Sequence, residues 1–422
     1  MAGIYIHIPF CRSRCIYCDF YSTTSLELRQ RYVEALCLEI ENRPFPLPEG
    51  MGIDTIYIGG GTPSQLTIGQ LEQLFIYINK VYSLPSIQGE AGDRAEITIE
   101  VNPDDVTIEY AAMLSKLPIN RVSMGIQTFD DQRLRFLHRR HTASQAITAV
   151  KTLRDAGFRN ISIDLMYGFP GETLSDWEAD IDTALTLNAE HLSAYCLMIE
   201  DGTPLHQMII KKAAIKREQS SLLELPSVSR LDEVNLEFRE AFPSEELERQ
   251  MYYKLINRLE AGGYEHYEIS NFAKIPPTGR VRGGDSSFRS RHNSGYWNGT
   301  PYIGLGAAAH SYDGRSRSWN VADINAYIEG MEQGKRIFEE ELLDEDTRYN
   351  DTITVALRTK EGLNLSLLAK KYQDYCMKNA RRYLDDGLLE LSVVEDYNTP
   401  TLHLTRRGLF VSDMVMSDLM IV

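Results

Sequence analysis

The chain has 422 residues, a length that allows two or three domains, and 43% of its residues are hydrophobic, which is enough for a sizeable core. Its net charge of -16 argues against a nucleic-acid backbone as the main partner, because phosphate binding needs concentrated lysine and arginine. The chain lacks a long apolar stretch and its cysteines form no disulfide framework, so we expect a cytoplasmic protein, with peripheral membrane contact left open.

The first half alternates short β-branched runs with helical patterns. The runs predict six strands, at 4–10, 53–58, 96–101, 121–126, 160–166 and 191–197. A capping box formed by Thr24 and Glu27 predicts the start of the first helix, and further helices are predicted at 65–79, 106–116, 143–156 and 175–187. Strands separated by helices pair in parallel, so this order predicts an α/β fold with a partial (β/α)6 barrel.

In the second half of the chain, the regular alternation of strands and helices ends. Residues 214–247 and 275–291 are interpreted as inserted loops, with a helix at 248–261, a strand at 264–269 and a helical region from 322. The tail predicts helices at 347–358, 365–370 and 373–386, a hairpin of 388–393 with 401–404, and a last helix. We therefore expect the barrel at 1–245, an α+β extension at 246–340 and a winged-helix-like domain at 341–422.

Three cysteines, Cys11, Cys15 and Cys18, lie within eight residues in the spacing Cys-x3-Cys-x2-Cys. Three thiolates can bind three irons of a [4Fe–4S] cube and leave the fourth iron open to a small molecule. A zinc site is the alternative, but this run lacks the second ligand pair of a zinc ribbon. The other thiols, which are interpreted as small buried hydrophobes, are Cys37, Cys196 and Cys376.

Unusual residues follow the predicted strands at the ends where barrel proteins hold their sites. The run Gly59-Gly60-Gly61-Thr62-Pro63 lacks the spacing of a phosphate loop, so nucleotide phosphate is the weaker interpretation. A capping or turn role is the commoner one for each polar residue alone. Together they form a ring of donors and acceptors that suits a zwitterionic amino acid with an attached ribose: Glu100, Gln127, Arg139 and Asp164.

These motifs resemble the radical S-adenosylmethionine enzymes. The resemblance extends to the group similar to oxygen-independent coproporphyrinogen III oxidase, through the segments 5–10, 125–128, 168–173 and 202–204. It implies that the open iron of the cluster binds the methionine part of S-adenosylmethionine. The contacts to that cofactor implied by the resemblance are Tyr5, Tyr17, Gly60, Gly61, Thr62, Glu100, Gln127, Arg139 and Asp164.

Two departures separate the chain from the oxidases. Phe20 stands where they carry a fourth cysteine, and only ten residues precede Cys11 where they have a longer arm. The segment His292-Asn293-x-x-Tyr296-Trp297 is instead similar to a motif of a haem-chaperone branch of this group. That branch binds haem and passes it to acceptor proteins, so haem and such acceptors, membrane-associated ones included, are the implied partners.

The chemistry of this segment fits haem without the resemblance. His292 could ligate the iron, Tyr296 and Trp297 could pack against the porphyrin, and propionates could bind to Arg280, Arg282, Arg289 or Arg291. The alternative is a turn histidine whose aromatic neighbours belong to the core.

Three hypotheses result. The first is a haem chaperone that carries a [4Fe–4S] cluster and S-adenosylmethionine, and the second is an oxidative decarboxylase of coproporphyrinogen III. The third, a winged-helix DNA regulator, conflicts with the acidic balance of the chain. A homodimer stays open.

Overall fold

The computed structural model describes residues 2–43, 52–82, 95–209, 242–276, 288–394 and 399–421. Six strands of its first half pair in chain order, each parallel to the next. Their bounds are β1 Ala2–Ile8, β2 Ile53–Gly60, β3 Glu96–Val101, β4 Arg121–Gln127, β5 Ile161–Tyr167 and β6 His191–Cys196. The expected partial barrel is confirmed, as an open and not a closed sheet.

The helices of this half are α1 Arg29–Asn42, α2 Ile68–Tyr82, α3 Ile108–Leu114, α4 Asp131–Phe136, α5 Ala143–Asp155 and α6 Leu174–Leu187. The short α4 was not predicted. The capping box expected at Thr24 is wrong, because a 3-10 turn at Leu26–Leu28 precedes α1, whose N-cap Leu28 makes no side-chain cap. The backbone of Thr23 is hydrogen bonded to the cysteine loop at Cys11, so the chain is held extended there and the helix begins later.

The extension adds strands to both sides of the same sheet. Beside β6 lie β8 Asn271–Lys274 and then β7 Tyr264–Glu268, and beside β1 lie, in order, β9 Tyr302–Leu305, β10 His310–Tyr312, β11 Ser316–Asn320 and β12 Phe338–Leu342. Strand β9 is parallel to β1. The pattern analysis missed β8 to β12, because strands of three to five residues with polar positions show too little alternation.

The helices of the extension are α7 Glu245–Ala261, α8 Arg291–Trp297 and α9 Ile324–Glu332. Helix α7 begins inside the first segment interpreted as a loop, and α8 begins at the last residue of the second such segment. The parts of those segments at 214–241 and 277–287 lie outside the described residues, and so do Arg280 and Arg282.

The tail contains α10 Glu345–Leu357, β13 Leu363–Asn364, α11 Lys370–Asp385, β14 Leu389–Val394, β15 Thr399–Leu404, α12 Arg406–Phe410 and α13 Ser412–Leu419. Its three strands form a separate antiparallel sheet over a core of its own, which includes Ile353, Cys376, Leu402 and Val415. The expected winged-helix-like domain is confirmed, but the helix predicted at 365–370 is wrong, because β13 and a 3-10 turn at Leu365–Leu367 precede α11. The division at 245/246 and 340/341 stays a prediction.

Within the described residues, no helix combines the length and the apolar content needed to cross a bilayer.

Candidate cofactor site

A cavity of about 520 Å³ opens at the C-terminal ends of β1 to β6. It brings together eleven residues that the sequence analysis singled out, namely Cys11, Cys15, Tyr17, Cys18, Gly60, Gly61, Thr62, Glu100, Gln127, Arg139 and Asp164. Four others do not line it. Tyr5 lies beneath it with its hydroxyl 3.0 Å from His7 Nδ1, and the aromatic segment at 292–297 contributes only Asn293.

The three cysteines lie on a loop that is pinned at its base and in its middle. At the base, Cys11 N donates to Thr23 O and Thr23 N donates to Pro9 O. In the middle, Ile16 is buried in a small apolar cluster and its N–H donates to Leu137 O. The anchors hold the loop while each thiol stays partly accessible to the cavity.

Two of the cysteine sulfurs, those of Cys11 and Cys15, have a neighbouring group that can donate a hydrogen bond to the thiolate form. The Thr62 hydroxyl lies 3.4 Å from Cys11 Sγ, and Arg139 Nη1 donates to Cys15 Sγ at 3.7 Å. Burial, reinforced by the neighbouring Cys15 and Cys11 thiols, raises the pKa of the Cys18 thiol to about 11, so deprotonation of this site needs a compensating positive charge such as a metal. Among the described residues no group of three or more His, Cys, Asp or Glu side chains is placed to hold a single ion.

The glycine run after β2 is shaped by close backbone approach. Gly60 has a φ of +108°, and a side chain there would collide with the His7 ring. A Cβ on Gly61 would lie 2.8 Å from the Pro9 carbonyl carbon, while Gly61 N donates to Ile8 O. The run therefore places bare backbone at the cavity wall, where an amino-acid ligand can approach it.

Two carboxylates form the polar floor of the cavity. Glu100 accepts hydrogen bonds from the Tyr57 hydroxyl at 2.7 Å and from Gly60 N at 3.1 Å. Desolvation, reinforced by the nearby Asp164 charge, raises the pKa of Glu100 to about 7. Desolvation likewise raises the pKa of Asp164 to about 6, against the hydrogen bond from Ser193. Neither charge is fully balanced, so a ligand that donates hydrogen bonds would be favoured here.

Arg139 and Gln127 form the opposite wall. The Arg139 guanidinium donates to Asn102 Oδ1 at 2.8 Å and to Gly125 O at 2.5 Å. Gln127 has a φ of +73°, which is rare outside glycine, at a register shift between β4 and β5. A Cβ on Gly125 would lie 2.8 Å from Gln127 Nε2, so this glycine leaves room for both side chains. Such local strain is typical of functional sites.

Several cavity residues were missed by the sequence analysis, namely Tyr57, Asn102, Arg121, Ser123 and Ser193. Arg121 is 1% exposed, and its Nε has no hydrogen-bond partner among the described residues. A buried guanidinium N–H without a partner is costly and suits a ligand acceptor. Tyr57 and Arg121 lie within strands, and the signal that could have found them is a large polar side chain at an inward position of a barrel strand.

The ionisation of Glu100 leads to a stability prediction for the cofactor-free protein. Because its pKa in the folded state, about 7, exceeds the ordinary value, the folded protein is progressively destabilised as pH rises from about 4.5 through 7. Glu100→Gln removes this titration. As pH rises from 5 to 8, we expect the midpoint temperature of thermal unfolding of Glu100→Gln to increase relative to that of the parent protein. A difference that stays constant over this range would contradict the raised pKa.

His292 lies away from the cavity, in an aromatic layer under β1 and β2. Its ring stacks on Tyr57 at 5.1 Å, Nδ1 lies 2.8 Å from Thr55 Oγ1 and Nε2 lies 2.8 Å from the Tyr296 hydroxyl. The residue is 3% exposed, and burial lowers its pKa to about 3, so the ring is neutral. With both nitrogens hydrogen bonded, ligation of iron would require a change of conformation.

The nearby arginines are engaged in ion pairs. Arg289 pairs with Glu265 and Glu361, and Arg291 pairs with Asp54. Their expected role towards propionates stays a prediction.

Comparison with known proteins agrees with the class that the partial barrel, the cysteine loop and the glycine cradle define. The model of the radical SAM superfamily matches residues 5–184. The protein thus has a radical S-adenosylmethionine domain. That class implies a [4Fe–4S] cluster, which the three cysteines would hold, and S-adenosylmethionine, which the glycine backbone, the acceptors and the unpartnered Arg121 N–H fit. When bound, such a cluster would supply an open iron and an electron, and the residues of this chain that line the cavity would bind and orient the ligand.

Curated relatives narrow the assignment. The haem chaperone HemW of Bacillus subtilis is 35% identical over 375 residues, which cover 88% of this chain and 87% of that protein. HemW of Mycobacterium tuberculosis is 32% identical over 99% of this chain and 94% of its own length. The chain belongs to the HemW family.

A solved structure agrees with the fold. Coproporphyrinogen III oxidase (HemN) from Escherichia coli superposes with a TM-score of 0.73 at 20% identity, over 99% of this chain and 89% of that chain. At this identity the likeness concerns the fold alone.

Proposed function

We propose that this protein is a haem chaperone, which binds haem and transfers it to acceptor proteins while carrying a [4Fe–4S] cluster and S-adenosylmethionine. The proposal rests on the haem-chaperone function of its HemW relatives. The observation that carries it is the position of helix α8, which bears the segment from His292 to Trp297. Asn293 of this helix faces the cluster cavity, while Tyr296 and Trp297 line a second cavity. One short helix thus links the two sites that such a chaperone needs.

Within this proposal, the cofactor contacts are assigned as expected from the sequence. Gly60, Gly61 and Thr62 receive the amino-acid part of S-adenosylmethionine, with Glu100 and Asp164 as acceptors for its donors. The remaining cofactor contacts are Tyr17, Gln127 and Arg139. Tyr5 lies beneath the site and supports it through its contact with His7. Tyr296 and Trp297 contact haem. Ligation of the haem iron by His292 would require the ring to give up its hydrogen bonds to Thr55 and Tyr296.

The proposed setting is the cytoplasm, because thiolates that hold an iron–sulfur cluster need a reducing compartment. The acceptors are haem proteins, and contact with a membrane surface or pairing of two copies would both be compatible with this role. Sedimentation of the haem-loaded chain, with and without vesicles, would distinguish them.

The second candidate function is oxidative decarboxylation of coproporphyrinogen III, which the fold shared with HemN favours. Phe20, 63% exposed at the cavity, occupies the place of the oxidases' fourth cysteine. We expect reconstituted protein, incubated anaerobically with coproporphyrinogen III, S-adenosylmethionine and reductant, to yield no protoporphyrinogen. A parallel haem titration should give about one haem per chain. Robust product formation without haem binding would replace the chaperone by the enzyme.

A further inference from the structure

A second cavity, of about 830 Å³, lies between the main sheet and the winged-helix-like domain. Helix α8 and strands β9 to β11 form one side, and helix α10 with the segment around β13 forms the other. We call this cavity the interdomain groove. Its volume lies within the range of small-molecule and cofactor sites. It is separate from the cluster cavity, with no lining residue in common.

The walls of the interdomain groove suit a flat, apolar molecule. The side formed by the main sheet is aromatic and consists of Tyr267, Tyr296, Trp297, Tyr302 and Tyr312. The side formed by the winged-helix-like domain contributes aliphatic groups, namely Val355, Ala356, Leu363 and Leu367. Leu367 is 81% exposed at this position. Aromatic and aliphatic surfaces on two elements can sandwich a macrocycle, and large rings gain most from such burial.

The charges of the groove suit a ligand with carboxylates. Three arginines line it, and two are paired within the protein: Arg289 with Glu265 and Glu361, and Arg317 with Asp351. Arg348, on α10, is exposed and makes no side-chain hydrogen bond or ion pair with any residue that the structure describes. The charge of Arg348 acts on Asp344 and Glu345 without forming an ion pair with either, so its N–H donors at the edge of the apolar groove are open to an anion.

The position of His292 gives this histidine a structural role that needs no bond to iron. Its Nε2 contacts the Tyr296 hydroxyl at 2.8 Å, and the Tyr296 ring packs edge-on against Tyr302 at 4.7 Å between centroids. His292 therefore holds one aromatic wall of the interdomain groove from behind. In this arrangement it is a positioning residue, and the rings of Tyr296 and Trp297 face the ligand.

We propose that haem binds in the interdomain groove, its ring between the aromatic wall of α8, β9 and β10 and the aliphatic face of α10 and β13, with a propionate on Arg348. This inference rests on the proposed haem-chaperone function. It places the cargo outside the cluster cavity, on the far side of helix α8 from Asn293.

The test titrates the full, cluster-loaded chain with haemin and, separately, with haemin dimethyl ester, in which the carboxylates are blocked. Arg348→Gln should weaken haemin binding roughly fivefold, the size of a partly exposed ion pair, while Arg348→Lys should retain most of the affinity. The ester should bind the parent protein and Arg348→Gln equally. Arg381→Gln, on the exposed surface of α11, is the matched control and should bind haemin like the parent.

Two further variants test the wall and the histidine. Val355→Trp should fill the interdomain groove and weaken haemin binding by roughly tenfold or more, with an unchanged iron content as evidence that the chain is folded. His292→Gln should lower the affinity but leave the position of the Soret band unchanged, because His292 holds the Tyr296 ring and does not bind the iron in this arrangement. A shifted band would make His292 an iron ligand and overturn this part of the proposal.

The outcomes separate the two proposals. If the parent chain binds no haem, the chaperone function fails and the groove assignment fails with it. If the parent chain binds one haem but Arg348→Gln and Val355→Trp bind it with parental affinity, the groove assignment is wrong and the function stands.

Discussion

Replacement of Cys15 by alanine is expected to remove most of the iron from the protein. Cys15 lies in the middle of the loop, where Arg139 donates to its sulfur, and each of the three thiolates would hold a different iron of the cube. Loss of one leaves two irons without a protein ligand. Anaerobically reconstituted parent protein should contain about four irons and four sulfides per chain with a broad absorbance near 400 nm, roughly as other [4Fe–4S] proteins do.

The matched control is Cys376→Ala, which also removes one thiol but lies in the core of the winged-helix-like domain. It should keep the full iron content and spectrum. If Cys15→Ala also keeps them, the assignment of the three ligands is wrong.

Substitution of Gly60 by valine is expected to abolish the response of the cluster to S-adenosylmethionine. The reason lies in the backbone at this position. The backbone has a φ of +108° and a side chain would strike the His7 ring, so the loop must move and Gly60 N loses its hydrogen bond to Glu100. The glycine backbone at the cavity wall and the Glu100 carboxylate would then both be displaced.

The measurement is the electron paramagnetic resonance spectrum of the reduced cluster, with and without S-adenosylmethionine. The parent signal should change on addition, and that of Gly60→Val should not, although its iron content stays near the parent value. Gly52→Val, in open space just before the same strand, is the control and should respond like the parent. A parent spectrum indifferent to the ligand would remove the cofactor assignment altogether.

Much of the barrel was predictable because its signals are local. All six predicted strands agree with the structure within two residues at each end, since buried parallel strands are continuous β-branched runs between helices. The cysteine spacing and the placing of Glu100, Gln127 and Asp164 near one edge required only that the strands be parallel. Local pattern and topology together sufficed for these.

The errors have physical causes as well. The capping box at Thr24 fits the sequence, but backbone hydrogen bonds from Thr23 to the cysteine loop hold that stretch extended, and long-range pairing overrides a local signal. Tyr57 and Arg121 were missed because only the arrangement of the paired strands around the cavity shows that they line it.

The sequence by itself thus determined the barrel, the spacing of the three cysteines and the similarity of the segment at His292 to a haem-chaperone motif, because each depends on residue types at short spacing. Only the tertiary structure decided where that segment lies. Contacts with Thr55 and Tyr57, more than 230 residues earlier, bury the His292 ring, while the packing of α10 against the main sheet creates the interdomain groove. Such contacts between distant parts of the chain leave no periodicity in the sequence, so no local pattern predicts them.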